Sequence, residues 1–171
     1  QFDYVNPRNK VVQTEMERAC TEHLKEIGAW LAPDEYDELP NDNTCYPVEA
    51  SVIIPVRNRA RTIGDAIDSV LGQKADFDFN VIVVDNHSDD GTVEYIGNKF
   101  PNIHLICSNH NLGFSRANNI AIRQSKGEYV LLLNPDTIVG EHTIADVLAF
   151  MDEHPKAGGA GIKMLNADGT K

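Results

Sequence analysis

The chain has 171 residues with 26 acidic against 15 basic side chains and a formal net charge of −11, a length that fits one ordinary domain plus an appendage. Such acidity excludes a nucleic-acid binder of the basic-patch kind, whose affinity comes from Lys and Arg displacing counterions. Hydrophobic residues at 42% and charged residues at 24% exclude a disordered tail, and the longest apolar runs fall far short of the ~20 residues of a membrane helix.

The acidic excess is concentrated in the first 50 residues. Between residues 11 and 31 the apolar side chains Val12, Met16, Ala19, Leu24, Ile27 and Trp30 recur at helical spacing, predicting an amphipathic helix that ends near Pro33 and packs its stripe on a neighbour. Residues 33–49 hold three prolines and six acids without a base, which reads as a solvated linker. Cys20, Cys45 and Cys107 lack CxxC spacing and read as reduced, partly buried small hydrophobes. The chain opens at Gln1, and is expected to be a piece of a longer protein.

From residue 50 short β-rich runs alternate with helical ones. Strands are expected at residues 51–56 (SVIIPV), 80–85 (NVIVVD), 103–107 and 129–133 (YVLLL), with a last one at 160–165. Helices are expected at 62–71, 92–100, 115–126 and 141–154, stopped by Gly72, Pro101, Gly127 and Pro155. Continuous apolar strands suit a parallel sheet covered on both faces, so the fold class is α/β: a mostly parallel central sheet with flanking helices, preceded by an N-terminal helix. A helical extension and linker (1–48) would precede the main domain (49–171).

Ligands of such sheets bind beyond the carboxyl ends of the strands. After the first strand stand Arg57, Arg59 and Arg61, three bases suited to a phosphate or a nucleobase; the alternative is solvated surface charge. After the second comes 85–92 (DNHSDDGT), where Ser88, Asp89 or Asp90 would cap the next helix, whereas Asp85 at a buried tip calls for a partner. A calcium loop fails here: one register puts Asp90 where glycine is needed, the next puts Gly97 where a bidentate Glu is needed. After the fourth comes Asn134-Pro135-Asp136-Thr137. Two strand-end carboxylates beside arginines suit a divalent cation and a diphosphate. Neither a GxGxxG after the first strand nor a GxxxxGK[ST] is present.

Residues 51–73 (SVIIPVRNRARTIGDAIDSVLGQ), 81–92 (VIVVDNHSDDGT), 111–122 (NLGFSRANNIAI) and 126–137 (KGEYVLLLNPDT), in this order and spacing, resemble the family 2 glycosyltransferases of GT-A fold. The Asn-Pro-Asp-Thr sequence is similar to rhamnosyltransferase-like members. The resemblance implies that Pro55, Arg57 and Asn58 line the nucleobase pocket, that Asp85 with Asn86 binds the base, and that the loop from Gly113 to Asn119 closes over the nucleotide, with Arg116 facing sugar or phosphate. It implies Mg2+ or Mn2+ on Asp136. Asn134 stands where the family's Asp-x-Asp has its first acid, which implies weaker or altered metal coordination.

The implied reaction is inverting transfer of a sugar from a nucleoside-diphosphate donor to a hydroxyl of a glycan or lipid-linked acceptor, in polysaccharide or cell-envelope synthesis. The implied location is cytoplasmic, at the inner face of the membrane in the peripheral variant. Few residues follow Asp136, so the general base is expected outside this chain; Asp152, Glu153 and Asp168 read as surface acids. A homodimer through an exposed sheet edge is a further expectation. Two other classes compete: a non-catalytic nucleotide-binding or protein-interaction module whose N-terminal helix docks a partner, and a metal hydrolase using Ser88, which lacks a persuasive base.

Overall fold

The computed structural model describes residues 9–30, 45–166 and 169–170. It divides into two compact units, Gln1–Thr44 and Cys45–Lys171.

In the first unit, α1 (Lys10–Glu26) stops at a turn in which Ile27 N–H donates to His23 O at 3.1 Å and Gly28 takes a φ of 69°. The helix therefore ends earlier than the apolar spacing predicts, because glycine relieves the left-handed turn that closes it. None of its residues is buried, and Val11, Val12 and Met16 stand exposed, which corrects the expectation of a packed stripe. Trp30 is half-buried with Lys25 Nζ 5.3 Å from its ring centroid. Residues 31–44, with Pro33 and most of the expected linker, lie outside the described residues, as does Asp168.

The second unit follows the order β1 (Val48–Val56), α2 (Ile63–Leu71), β2 (Phe79–Asp85), α3 (Thr92–Lys99), β3 (His104–Cys107), α4 (Phe114–Ile122), β4 (Gly127–Leu132) and α5 (Thr143–Glu153). Its four strands form one sheet in the order β3-β2-β1-β4, every pairing parallel. The α/β parallel sheet expected from the sequence is present. β1 is central, and its alternation sorts the core. Val52, Ile54 and Val56 join Val81 and Val83 under α2, α3 and α5 through Ile63, Ile67, Val70, Ile96, Ile144 and Leu148. Ile53, Ile82 and Val84 face Ala117 and Ala121 of α4 on the other side. Each fully buried aliphatic side chain in these layers contributes about 1.5–3 kcal/mol.

Several details depart from the sequence reading. Val48 and Glu49, taken as linker, belong to β1. The fourth helix ends at Ile122, because Gly127 opens β4 instead of closing the helix. β4 is not covered on both faces: Val130 and Leu132 are exposed, because α4 packs chiefly over β1 and β2. Residues 160–165 form no strand, and Ile162, Met164 and Leu165 are exposed. All three cysteines are free and exposed, not partly buried. Tyr129 Oη donates to Asp152 Oδ1 at 2.7 Å, tying β4 to α5. No helix among the described residues is long and apolar enough to cross a membrane.

Candidate functional site

From β1 the chain steps to β2 and β3 on one side, then returns to place β4 on the other. The loops leaving the paired strands β1 and β4 therefore stand side by side at the carboxyl end of the sheet, where ligands of such folds bind. A cleft of about 430 Å³ lies there, within the size range of small-molecule sites. Pro55, Val56, Arg57 and Arg59 line it from the end of β1, and Asn134, Pro135 and Asp136 from the end of β4. Asn86, Asn111, Gly113 and Phe114 complete the wall.

The loop after β1 is fastened to the loop after β2. Val56 pairs with Asp85 in register, and Asn86 N–H donates to Val56 O at 2.8 Å. Beyond that pair three successive amides find side-chain acceptors: Asn58 N–H on Ser88 Oγ at 2.9 Å, Arg59 N–H on Thr92 Oγ1 at 3.2 Å and Ala60 N–H on Asp90 Oδ2 at 3.0 Å. Asn58 returns the contact, its Oδ1 accepting Asp89 N–H at 2.9 Å. It does so at a φ of 52°, a left-handed conformation that asparagine tolerates better than most residues. Asp90 also accepts the Thr92 N–H and hydroxyl. These donors, the Thr92 hydroxyl and the Ala60 amide foremost, hold its carboxyl below the usual range.

The opposite wall is organised by Asn86, which is buried. Its Oδ1 accepts Leu112 N–H at 2.6 Å and its Nδ2 donates to Gly113 O at 3.3 Å. Asn111 Oδ1 accepts Gly113 N–H at 2.9 Å. Gly113, at φ 75° and ψ 171°, occupies a region almost restricted to glycine, and α4 starts on the next residue. After β4, Leu133 N–H donates to Ile53 O at 2.9 Å and Thr137 N–H to Asn134 O at 3.2 Å. The second bond closes a turn with Pro135 and Asp136 at its corner.

Of the residues expected in a site, Pro55, Arg57, Asn86, Gly113, Asn134 and Asp136 share this cleft. Asn58, Asp85, Arg116 and Asn119 are not part of its wall. Asn58 is engaged by Asp89, and Arg116 and Asn119 are exposed on α4. Asp85 is 2% exposed; its Oδ2 accepts Ser88 N–H at 3.1 Å, and its Oδ1 is buried without a hydrogen-bond partner. Arg59, one of the three bases expected to suit a phosphate, is in the wall, as is Phe114 of the expected closing loop, whereas Val56 and Asn111 are wall residues the sequence reading did not assign. Asn111 had an available signal, since it opens the segment 111–122 that leads into the expected closing loop.

The oxygen donors of the Asn134–Asp136 turn are one carboxylate and one amide. Among the described residues no cluster of three or more His, Cys, Asp or Glu gathers to hold a metal. Magnesium-type cations take one or two carboxylates and complete their shell with phosphate oxygens and water. Asp136 therefore fits Mg2+ or Mn2+ in a site completed by a phosphorylated ligand.

Residues 51–168 match the family model described as Glycosyl transferase family 2. Among curated proteins, the minor teichoic acid biosynthesis protein GgaB of Bacillus subtilis is 35% identical over 114 residues, covering 64% of this chain and 13% of that protein. The poly(ribitol-phosphate) beta-N-acetylglucosaminyltransferase TarS of Staphylococcus aureus is 33% identical over 110 residues, covering 61% of this chain and 19% of TarS. The chain thus spans less than a fifth of either relative. In solved structures, S. aureus TarS 1-349 in complex with UDP-GlcNAc superposes with a TM-score of 0.55 at 32% identity, over 68% of this chain and 37% of that one. The Pyrobaculum calidifontis mannosyltransferase PcManGT, in complex with GDP-Man and Mn2+, gives 0.54 at 25% identity, over 76% and 39%. The parallel sheet, its switch-point cleft and the matched residues together place the chain in glycosyl transferase family 2, with the α/β architecture of the GT-A enzymes.

Proposed function

We propose that this chain is the donor-binding part of a glycosyltransferase that moves a sugar from a nucleoside diphosphate to an acceptor hydroxyl with inversion, in cell-envelope glycan synthesis. The observation that carries the reading is the convergence of Asp136 with Arg57 and Arg59 on one cleft at the switch between β1 and β4. The named relatives are a minor teichoic acid biosynthesis protein and a poly(ribitol-phosphate) beta-N-acetylglucosaminyltransferase, and two neighbours hold UDP-GlcNAc and GDP-Man. The unpartnered Asp85 Oδ1 is the candidate acceptor for a base N–H, since a buried acceptor left without a donor carries a desolvation cost that a ligand would relieve.

In the reaction the acceptor oxygen bonds to the anomeric carbon while the bond from that carbon to the diphosphate oxygen breaks. The electron pair leaves with the diphosphate, and the acceptor proton passes to a carboxylate base. Asp136 is the one carboxylate in the cleft wall and is assigned to the cation, so the base is assigned to the acceptor-binding part outside this chain. A divalent cation held by Asp136 would neutralise charge growing on the leaving diphosphate. Arg57 and Arg59 orient that diphosphate, and the Asn86-bracketed wall at Gly113 bounds the nucleotide on the opposite side.

Thermal unfolding with UDP, dTDP, GDP and ADP, each in Mn2+ and in chelator, tests the reading; dTDP is included because of the rhamnosyltransferase-like Asn-Pro-Asp-Thr sequence. A nucleotide at about 100 times its dissociation constant adds about 2.7 kcal/mol, a shift of several degrees. One base should give the largest shift, Mn2+ should enlarge it, and Asp136→Ala should remove the enlargement. No shift with any nucleotide in either condition contradicts the reading.

A further inference from the structure

We propose that Arg57 and Arg59 form a built diphosphate clamp that holds the donor without a metal, leaving the cation to act on the departing diphosphate. The proposal rests on the donor-binding reading above and extends it to a residue, Arg59, and a division of labour that the resemblance does not supply.

Charge in the cleft gives the first argument. Its wall carries two guanidinium groups and one carboxylate, a local positive excess in a chain of net charge −11. A nucleoside-diphosphate sugar carries about two negative charges, which two planar guanidinium forks match, and charge-assisted bonds of this type are the strong ones. A cation site with Asp136 as its one carboxylate and Asn134 supplying a neutral amide binds weakly until phosphate oxygens complete it. Arginine therefore has the larger part in capturing the anion.

The second argument is construction. An exposed arginine is ordinarily a solvated surface charge, and its loop is free to move. Here the three amides of Asn58, Arg59 and Ala60 are each fixed to a side chain of the β2–α3 loop, and Asn58 turns its own side chain to Asp89 N–H. The alternation sends Asn58 into the scaffold and its two neighbours to the cleft. Arg59 Nη1 also donates to Asn58 O at 3.2 Å, which limits the guanidinium's freedom. Neither Arg57 nor Arg59 forms an ion pair with any described residue. The oxygens of Asp90 are taken up by amides and the Thr92 hydroxyl, and it forms no ion pair with either arginine. Two arginines without ion-pair partners on a loop fastened to the scaffold, at a cleft wall, are arranged for an external dianion.

The test is calorimetric titration of the full chain with UDP, GDP, dTDP and ADP against the matching nucleosides, in chelator and in Mn2+. In chelator, the preferred diphosphate should bind at least about tenfold tighter than its nucleoside, a difference of about 1.4 kcal/mol. The double variant Arg57→Ala/Arg59→Ala should lose that advantage, and Arg59→Ala alone should reduce it with the nucleoside affinity unchanged. The pair Arg57→Lys/Arg59→Lys should retain part of it, and Arg61→Ala, off the cleft wall, all of it. Equal unfolding midpoints among the variants separate clamp from scaffold; if the alanine pair unfolds, the lysine pair carries the comparison. Diphosphate binding that appears in Mn2+ and vanishes in chelator overturns the clamp while the donor-site reading stands. Binding in neither condition overturns both.

Discussion

Asn58 shows how a residue can belong to a site without touching its ligand. Its neighbours face the cleft, while its amide and side chain bind Ser88 and Asp89. Asn58→Ala should lose a hydrogen bond and place a Cβ-bearing, non-amide residue at a φ of 52°, costing about 2 kcal/mol of stability. Asn58→Gly relieves the backbone term and should be the milder variant by about 1 kcal/mol; denaturant midpoints in which glycine is no better than alanine contradict this. Asp90 gives a pH prediction. Its folded pKa lies below the unfolded one, so its contribution is complete above the unfolded pKa and is lost as pH falls through the folded value. Asp90→Asn has one acceptor oxygen for the donors on Oδ1 and Oδ2, so it should be less stable at neutral pH and lose less on acidification. Urea melts from about pH 7 to about pH 3 check both parts. The alternating arginines were legible as ligand-edge cations, and Asp85 as a buried acid. Which polar side chains serve the backbone was not, because that depends on the packing of two loops distant in sequence.

At the scale of elements, Gly127 joins β4 to β1. A Cβ there would stand 2.4 Å from both Ala50 C and Ser51 N, while Ser51 Oγ accepts Lys126 and Gly127 N–H at 3.1 and 2.9 Å. Gly127→Ala must push the strand backbones apart, at about 3 kcal/mol. Since Arg57 follows β1 and Asp136 follows β4, nucleotide affinity should fall with it. A variant with an unchanged urea midpoint and unchanged affinity would show that this contact does not set the cleft. The same glycine explains a misjudged boundary: a glycine after an apolar helical run reads as a helix stop, and nothing local reveals that its absent side chain makes room for β1. The four paired strands were legible from their apolar runs. Residues 160–165 carry strand character too, yet a strand requires a neighbour, and none of the four pairs with them.

On the scale of the molecule, a chain of net charge −11 places two arginines and one carboxylate on a cleft at the carboxyl end of its sheet. That combination was legible in outline, because three parallel crossovers direct all four strand tips to the same end. The bare stripe of α1 was not, because spacing reveals an apolar face without what covers it. The account stands on the cleft between β1 and β4 being the donor site. The most direct measurement is a two-dimensional amide NMR titration of the full chain with the preferred nucleoside diphosphate and Mg2+. The amides of Arg57, Arg59, Asn86, Gly113 and Asp136 should shift together with one dissociation constant, while Glu49, Phe79 and Gly127 at the opposite end of the sheet hold still. Shifts confined elsewhere, with those five amides unmoved, would contradict it.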